Sequence, residues 1–327
     1  MSHCQQANPG TGAGEPMAVA PTRLIAVDAA QVRATVSMGA AIGAVRQAFL
    51  DLAAGAFEMP DRTQLDQGRF LAMMVRHRPS NTAAFKALSV NLENRVPAIV
   101  GAVVLADLAR ASQLVADAAA VTALRTGAAT GAATDLLAPP DARRLVMIGA
   151  GAQAPDQVRA VCAVRPIDEV VVVDLDPARA GQLAQALADE LPGVRVETGA
   201  DAADAVAGAD VVCCATTARQ ALFEPDALPA RVHVNAIGAY RPAMRELPVG
   251  LLGGGLVVVD QRAAALTEAG DIIDGVEQGA LRPDDLLELG DALAAPPART
   301  PRTVFKSVGL AIQDWAVAKL LADALLD

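Results

Sequence analysis

The stretch RLVMIGAGAQAPDQ, residues 144–157, decides how the 327-residue chain is built. Its first six residues form a short apolar run with strand character, and a helical pattern begins at its end. Between them Gly149 and Gly151 form a G-x-G turn, and Ala154 stands at the third small position, where close helix–strand packing admits alanine. Pro155 falls in the first turn of the helix, where a missing N–H costs nothing. The free backbone N–H groups of residues 149–153 (Gly149, Ala150, Gly151, Ala152, Gln153) would then face a pyrophosphate. Asp174 ends the next apolar run, 23 residues after Gly151. A carboxylate there grips the adenosine ribose hydroxyls and repels a 2'-phosphate. The cofactor expected is NAD, with NADP left possible.

Outward from this turn, strand and helix patterns alternate. EVVVVDL, GVRVET, DVVCCAT, HVNAIG and LVVVD read as buried strands, and PDQVRAVCAVR, PARAGQLAQALADEL and DAADAVAG read as helices. Such alternation builds a parallel sheet covered on both faces. The texture before Pro139-Pro140 differs. A helix is expected over 38–54 with Gly55 as its stop. Strands are expected near 70–76, 84–91 and 99–106, with turns at PSN and ENRVP, then a long alanine-rich helix from Asp117 to Ala138. Consecutive strands imply antiparallel pairing. The terminal TVFKSVGLAIQDWAVAKLLADALL reads as a strand and an amphipathic helix that returns to the first part. The expected fold is therefore α/β: a Rossmann-type parallel-sheet domain (138–302) inserted into a mixed α+β substrate-binding and dimerisation domain (21–137 plus 303–327), after a disordered tail (1–20). Met73-Met74 is expected to fill the core, EPDALPARVH to connect, and LRPDDLLELGDAL to be a solvated helix face.

Composition narrows the function. Hydrophobic residues make up 53% of the chain and aromatics 2%, so the cores must rest on Ala, Val and Leu. The net charge of −10 speaks against nucleic acid and anionic membrane as partners, because both need a basic footprint. No apolar run reaches the ~20 residues of a membrane helix, and VPAIVGAVVLADLA is interrupted by Pro97 and Asp107. The first twenty residues hold no Lys or Arg and no compact apolar segment, so no secretory leader is expected. Cys4, Cys162, Cys213 and Cys214 have neither disulfide nor metal spacing, and His3, His77 and His233 are scattered. Free thiols in a cytoplasmic protein without a metal are expected. Cys213 and Cys214 should point to opposite faces of one strand.

Five segments together resemble the ornithine cyclodeaminase/mu-crystallin family. They are ALRTGAATGAATDLLA (123–138), MIGAGAQA (147–154), HVNAIGAYRPAMREL (233–247), VVVDQRAAALTEAGDI (257–272) and TVFKSVGLAIQDWAVAKLL (303–321). The likeness runs from about residue 35 to the C-terminus. It implies a homodimer with a nicotinamide cofactor between two domains. The implied chemistry lies at the carbon that bears an amino or imino group beside a carboxylate. Position by position, it implies that Arg62, Lys86 and Arg125 are substrate-site cations and that Thr126 and the GAGAQ turn touch the cofactor. Thr216, Ile237 and Ser307 would line the nicotinamide half, and Asp314 would be an acid near the domain junction.

The residue types suit these roles. A carboxylate calls for guanidinium groups that can bind it bidentately. Arg125 lies inside an apolar helix, where it needs either a partner or a route to solvent. Lys86 lies in an apolar strand, TAAFKALSV, where burial lowers a lysine's pKa and suits it to acid–base work. It would either keep an imine nitrogen protonated or help bind the carboxylate. Family members that act as cyclodeaminases carry Asp where this chain has Tyr240, and a phenol of pKa ~10 is a poor carboxylate substitute. The expected activity is NAD(P)H-dependent reduction of 2-imino acids by hydride transfer at C2, or the reverse amino acid dehydrogenation. The alternatives are an ornithine or lysine cyclodeaminase with catalytic NAD, and a non-enzymatic small-molecule binder.

Overall fold

The structure, a computed structural model, describes residues 22–66, 68–91 and 97–326. The expected N-terminal tail and most of the ENRVP turn lie outside them. The first part of the chain forms a seven-stranded mixed sheet. Its strands are β1 (Arg23–Val27), β2 (Phe57–Glu58), β3 (Thr63–Leu65), β4 (Phe70–His77), β5 (Thr82–Val90), β6 (Ile99–Asp107) and β7 (Ser112–Asp117). The order is β1-β7-β6-β5-β4-β2, with β3 also on β4. β4 to β7 pair antiparallel, as their short connections require, and β1 joins β7 in parallel. β7 was not expected. Its inward residues, Ser112, Leu114 and Ala116, begin with a polar side chain that masks the alternation.

Helices α1 (Ala29–Thr35), α2 (Met38–Ala53) and α3 (Ala118–Leu137) follow in this part. Asp117 caps α3 by accepting the Ala120 N–H at 2.7 Å. α3 is buried on every side over most of its length. Its Ala, Gly and Thr residues fit that place, because small side chains let neighbouring elements approach from all directions. Arg125, midway along it, is buried, with 7% of its surface exposed.

The second part is an eight-stranded, all-parallel sheet. Its strands are β8 (Arg144–Ile148), β9 (Glu169–Val173), β10 (Arg195–Thr198), β11 (Val211–Cys214), β12 (Val232–Ala236), β13 (Leu256–Val259), β14 (Leu287–Glu288) and β15 (Arg302–Lys306), in the order β10-β9-β8-β11-β12-β15-β13-β14. Helices α4 (Ala154–Val164), α5 (Pro177–Glu190), α6 (Ala202–Val206), α7 (Val249–Leu252), α8 (Arg262–Glu268), α9 (Gly270–Glu277) and α10 (Leu289–Ala294) connect them. Cys213 and Cys214 are buried in the cores on opposite faces of this sheet.

Three expectations are corrected here. The terminal strand 302–306 inserts between β12 and β13 of the parallel sheet, although residues 303–327 were assigned to the first part. Helix α11 (Ala311–Leu326) packs back on the first core through Ile312, Trp315, Val317 and Leu321, and Phe305 of the strand reaches the same core. LRPDDLLELGDAL is not one solvated helix. It is a 3-10 turn, strand β14 and helix α10, with Leu286 and Leu289 buried because its leucines alternate inward between the charges. Met73 is core, but Met74 is 46% exposed on the outer face of the first sheet.

Candidate active site

The chain runs outward from β8 through β9 to β10, then crosses back to β11 and β12, so the strand order reverses between β8 and β11. In open α/β sheets the crevice outside the carboxyl ends of the strands at such a reversal receives the ligand. The residues expected on the cofactor side follow strands at that edge. Gly149 to Gln153 come after β8, Asp174 after β9, Thr216 after β11, Ile237 after β12 and Ser307 after β15.

Gly149 has φ +99°, and a Cβ there would lie 2.6 Å from the Ala215 carbonyl oxygen, so no other residue fits. Gly151 and Ala152 are exposed at the tip. Helix α4 begins at Ala154 with Pro155 in its first turn, and its N-cap residue, Gln153, makes no side-chain cap. Among the described residues no side chain accepts the N–H groups of Gly151, Ala152 or Gln153, which is what a phosphate-binding helix terminus requires. Asp174 is tied to the same turn. Its Oδ2 accepts the Ala150 N–H at 2.6 Å, and its Oδ1 accepts the Asp176 N–H at 2.8 Å. Each oxygen keeps a lone pair for a hydroxyl donor. The residues present fit a dinucleotide. Thr126, on α3, is buried and donates its hydroxyl back to the Thr122 carbonyl at 2.6 Å.

The three cations converge at the start of α11. Lys86 Nζ lies 2.8 Å from Asp314 Oδ1, both groups almost fully buried. Burial brings Lys86 down to about 8, Asp314 opposes this, and Arg125 and Arg62 add to it. Arg125 reaches the same carboxylate oxygen with Nε at 3.3 Å and donates from Nη1 to Gln313 Oε1 at 2.5 Å. Its guanidinium rests on Gly309, which has φ +85°; a Cβ there would lie 2.5 Å from Arg125 Nη1. Arg62 donates from Nη2 to the carbonyls of Val308 (3.1 Å) and Gly309 (2.6 Å), and pairs through Nε with Glu268 Oε1 at 2.9 Å.

One turn, residues 307–309, joins the two halves. Asp260, at the end of β13, accepts through Oδ2 from Ser307 Oγ (2.9 Å), the Val308 N–H (2.8 Å) and the Gly309 N–H (2.7 Å). The backbone that carries both arginines is thus pinned from the parallel sheet. Beside it Tyr240 lies on the loop after β12, its phenol pushed up by burial, with the Arg241 guanidinium 5.3 Å from its ring centre. Among the described residues no cluster of His, Cys, Asp and Glu is arranged to hold a metal ion.

Sequence reasoning did not single out Asp260, Glu268 or Gln313. Asp260 carries the same signal as Asp174, an aspartate directly after an apolar VVV run, and was legible on that ground. Glu268 sits on the short helix α8 and Gln313 in the first turn of α11, where nothing local separates a buried partner from a surface side chain.

Residues 24–327 match the family model of the ornithine cyclodeaminase/mu-crystallin family. Over 323 residues the chain is 32% identical to a Delta(1)-pyrroline-2-carboxylate reductase from Bacillus cereus, covering 93% of this chain and 97% of the relative. It is 34% identical over 283 residues to the ketimine reductase mu-crystallin of Mus musculus, covering 81% and 87%. Among solved structures, the Delta(1)-pyrroline-2-carboxylate reductase of Thermococcus litoralis, in complex with NADH and L-proline, superposes with a TM-score of 0.87 at 31% identity, covering 92% of this chain and 97% of that one. With this match across the described chain, the protein belongs to the ornithine cyclodeaminase/mu-crystallin family.

Proposed function

We propose that the protein is an NADH-dependent reductase of 2-imino acids, cyclic ketimines such as pyrroline-2-carboxylate above all, and that it runs in reverse as an amino acid dehydrogenase. The observation that carries this is the convergence of Lys86, Arg62 and Arg125 on Asp314 and the 307–309 turn, next to the dinucleotide crevice. Identity of about a third to reductases of this substrate class supports it. Asp174 favours NAD, since its carboxylate stands where a 2'-phosphate would be repelled.

Each arginine is held by protein through other nitrogens and keeps one terminal nitrogen without a protein partner among the described residues. These are Nη1 of Arg62 and Nη2 of Arg125. A substrate carboxylate meets one of them with each oxygen, which fixes the imine carbon relative to the crevice. Burial brings Lys86 down to about 8, close enough to neutral pH for the ammonium to give up a proton readily. Asp314 Oδ1 takes one Nζ proton. Another is directed to the imine nitrogen and keeps the C=N bond protonated and electrophilic. What the nicotinamide supplies when bound is a hydride for that carbon. The product is the neutral amine, which retains the nitrogen's proton and takes a further one from water to reach its ammonium form. Tyr240 contributes no carboxylate base, which sets this site apart from cyclodeaminase chemistry.

A homodimer is part of the proposal, supported by the outer face of the first sheet. Met74, Phe85, Val104 and Val115 stand in register across β4 to β7 on its outer face. Phe70 (52% exposed), Met74 (46%), Phe85 (46%) and Val100 (59%) form a continuous apolar surface there. A second copy covering it would remove this surface from water. Cytoplasmic location is part of the proposal, and the free thiols of Cys162, Cys213 and Cys214 suit a reducing compartment.

The test is NADH oxidation against pyrroline-2-carboxylate, piperideine-2-carboxylate, and pyruvate with ammonia or methylamine. The wild type should turn over at least one cyclic ketimine. Lys86→Met should lose about 10²- to 10⁴-fold in kcat, the usual contribution of a placed proton donor, with NADH affinity unchanged. Silence of the wild type over the whole panel rejects the proposal.

A further inference from the structure

Behind the crevice lies a group of ionisable side chains that the reaction does not use. Glu246, Asp271 and Lys306 are each no more than 1% exposed. Lys306 Nζ stands 2.9 Å from Asp271 Oδ2 and 3.8 Å from Glu246 Oε2. The Glu246 carboxylate takes four donors from two different loops. Oε1 accepts the Thr216 N–H at 2.7 Å and the Thr216 hydroxyl at 3.0 Å, both from the loop after β11. Oε2 accepts the Gly238 and Ala239 N–H groups at 2.8 and 3.0 Å, from the loop after β12. Asp271 in turn anchors the Glu246 backbone, its Oδ1 accepting the N–H groups of Glu246 (2.7 Å) and Leu247 (2.9 Å).

Stability does not explain the cluster. Removing three charges from water is unfavourable, and well-packed apolar side chains of similar volume commonly serve a core as well or better. What apolar side chains cannot do is receive four directed hydrogen bonds and so fix the spacing of two loops. Those loops are packed to the limit: a Cβ on Gly238 would lie 2.2 Å from the Thr216 carbonyl oxygen. They carry Thr216, Ile237 and Tyr240 on the β11–β12 side of the strand reversal, while the phosphate turn and Asp174 lie on the β8–β9 side. The two sides receive the two halves of a dinucleotide.

We propose that Glu246 is a positioning residue that sets the nicotinamide end of the cofactor site by bracing the Thr216 and Gly238–Tyr240 loops, with Lys306 and Asp271 holding it in place. The inference rests on the dinucleotide reading above but not on the identity of the imino acid. Glu246 touches neither substrate nor cofactor; it acts through the loops.

Titration calorimetry with NADH and with ADP-ribose, which lacks the nicotinamide, tests it. In Glu246→Gln the carboxamide NH₂ faces backbone N–H donors on one loop, and that loop is released. Binding of ADP-ribose should stay within about twofold of wild type while NADH binding weakens roughly tenfold. Glu246→Asp keeps the charge beside Lys306, so the fold is retained, but it is one methylene too short to reach both loops. It should show the same split to a smaller extent. Parallel loss of both ligands in both variants would reduce Glu246 to a structural residue, and unchanged NADH affinity in both would overturn the proposal outright. A wild type that binds NADH yet reduces no imino acid would reject the proposed reaction and leave this inference standing.

Discussion

Lys86 and Arg125 announce themselves in the sequence because a charge inside an apolar strand or helix has to be answered by something. Their answer, Asp314, lies more than 180 residues further along the chain, and no local pattern ties it to either. The same holds for Arg62, which in its Pro-Asp loop reads as a surface residue until Glu268 and the Val308 and Gly309 carbonyls are seen around it. The Lys86–Asp314 pair has a consequence for pH. If the ammonium serves the imine nitrogen, kcat/KM for reduction falls as pH rises through about 8, where Lys86 loses its proton. Asp314 holds that proton on. Asp314→Asn should therefore move the basic limb to lower pH, by roughly one unit. A limb that stays in place in the pH profile of this variant would mean that another group titrates.

At the scale of elements, the parallel sheet was largely legible. Strands β8, β9, β11 and β13 are short apolar runs, and helical stretches of distinct period separate most of the strands. The first sheet was legible in its three long antiparallel strands but not in β7, whose inward Ser112 blurs the alternation. Strand β15 was recognised as a strand and placed with the wrong sheet, since an apolar run such as TVF carries no mark of its neighbours. The outer face of β4 to β6 was also misjudged at Met74, where a methionine suits a core and an interface equally well. If that face joins two copies, Phe85→Glu places a charge at the interface twice, once per subunit. Association should weaken by about a hundredfold or more, read as a shift from dimer to monomer in sedimentation velocity. A wild type that sediments as a monomer would remove the dimer from the account.

At the scale of the whole molecule, the chain's return path makes the site. After β14 it re-enters the parallel sheet as β15, turns at 307–309, and leaves as α11 across the first core. The cofactor crevice and the substrate cations therefore share one short segment of backbone, pinned by Asp260 from one side and carrying Arg62 and Arg125 on the other. Sequence reading located the two halves but not this turn between them, because its partners Asp260, Arg62 and Arg125 come from three distant parts of the chain. What the joined halves accomplish is settled most directly by a mole balance. With pyrroline-2-carboxylate and NADH, the account predicts one NADH oxidised for each proline formed and no ammonia released. Ammonia released from ornithine with no net change in NADH, and no NADH consumed with the ketimine, would contradict it.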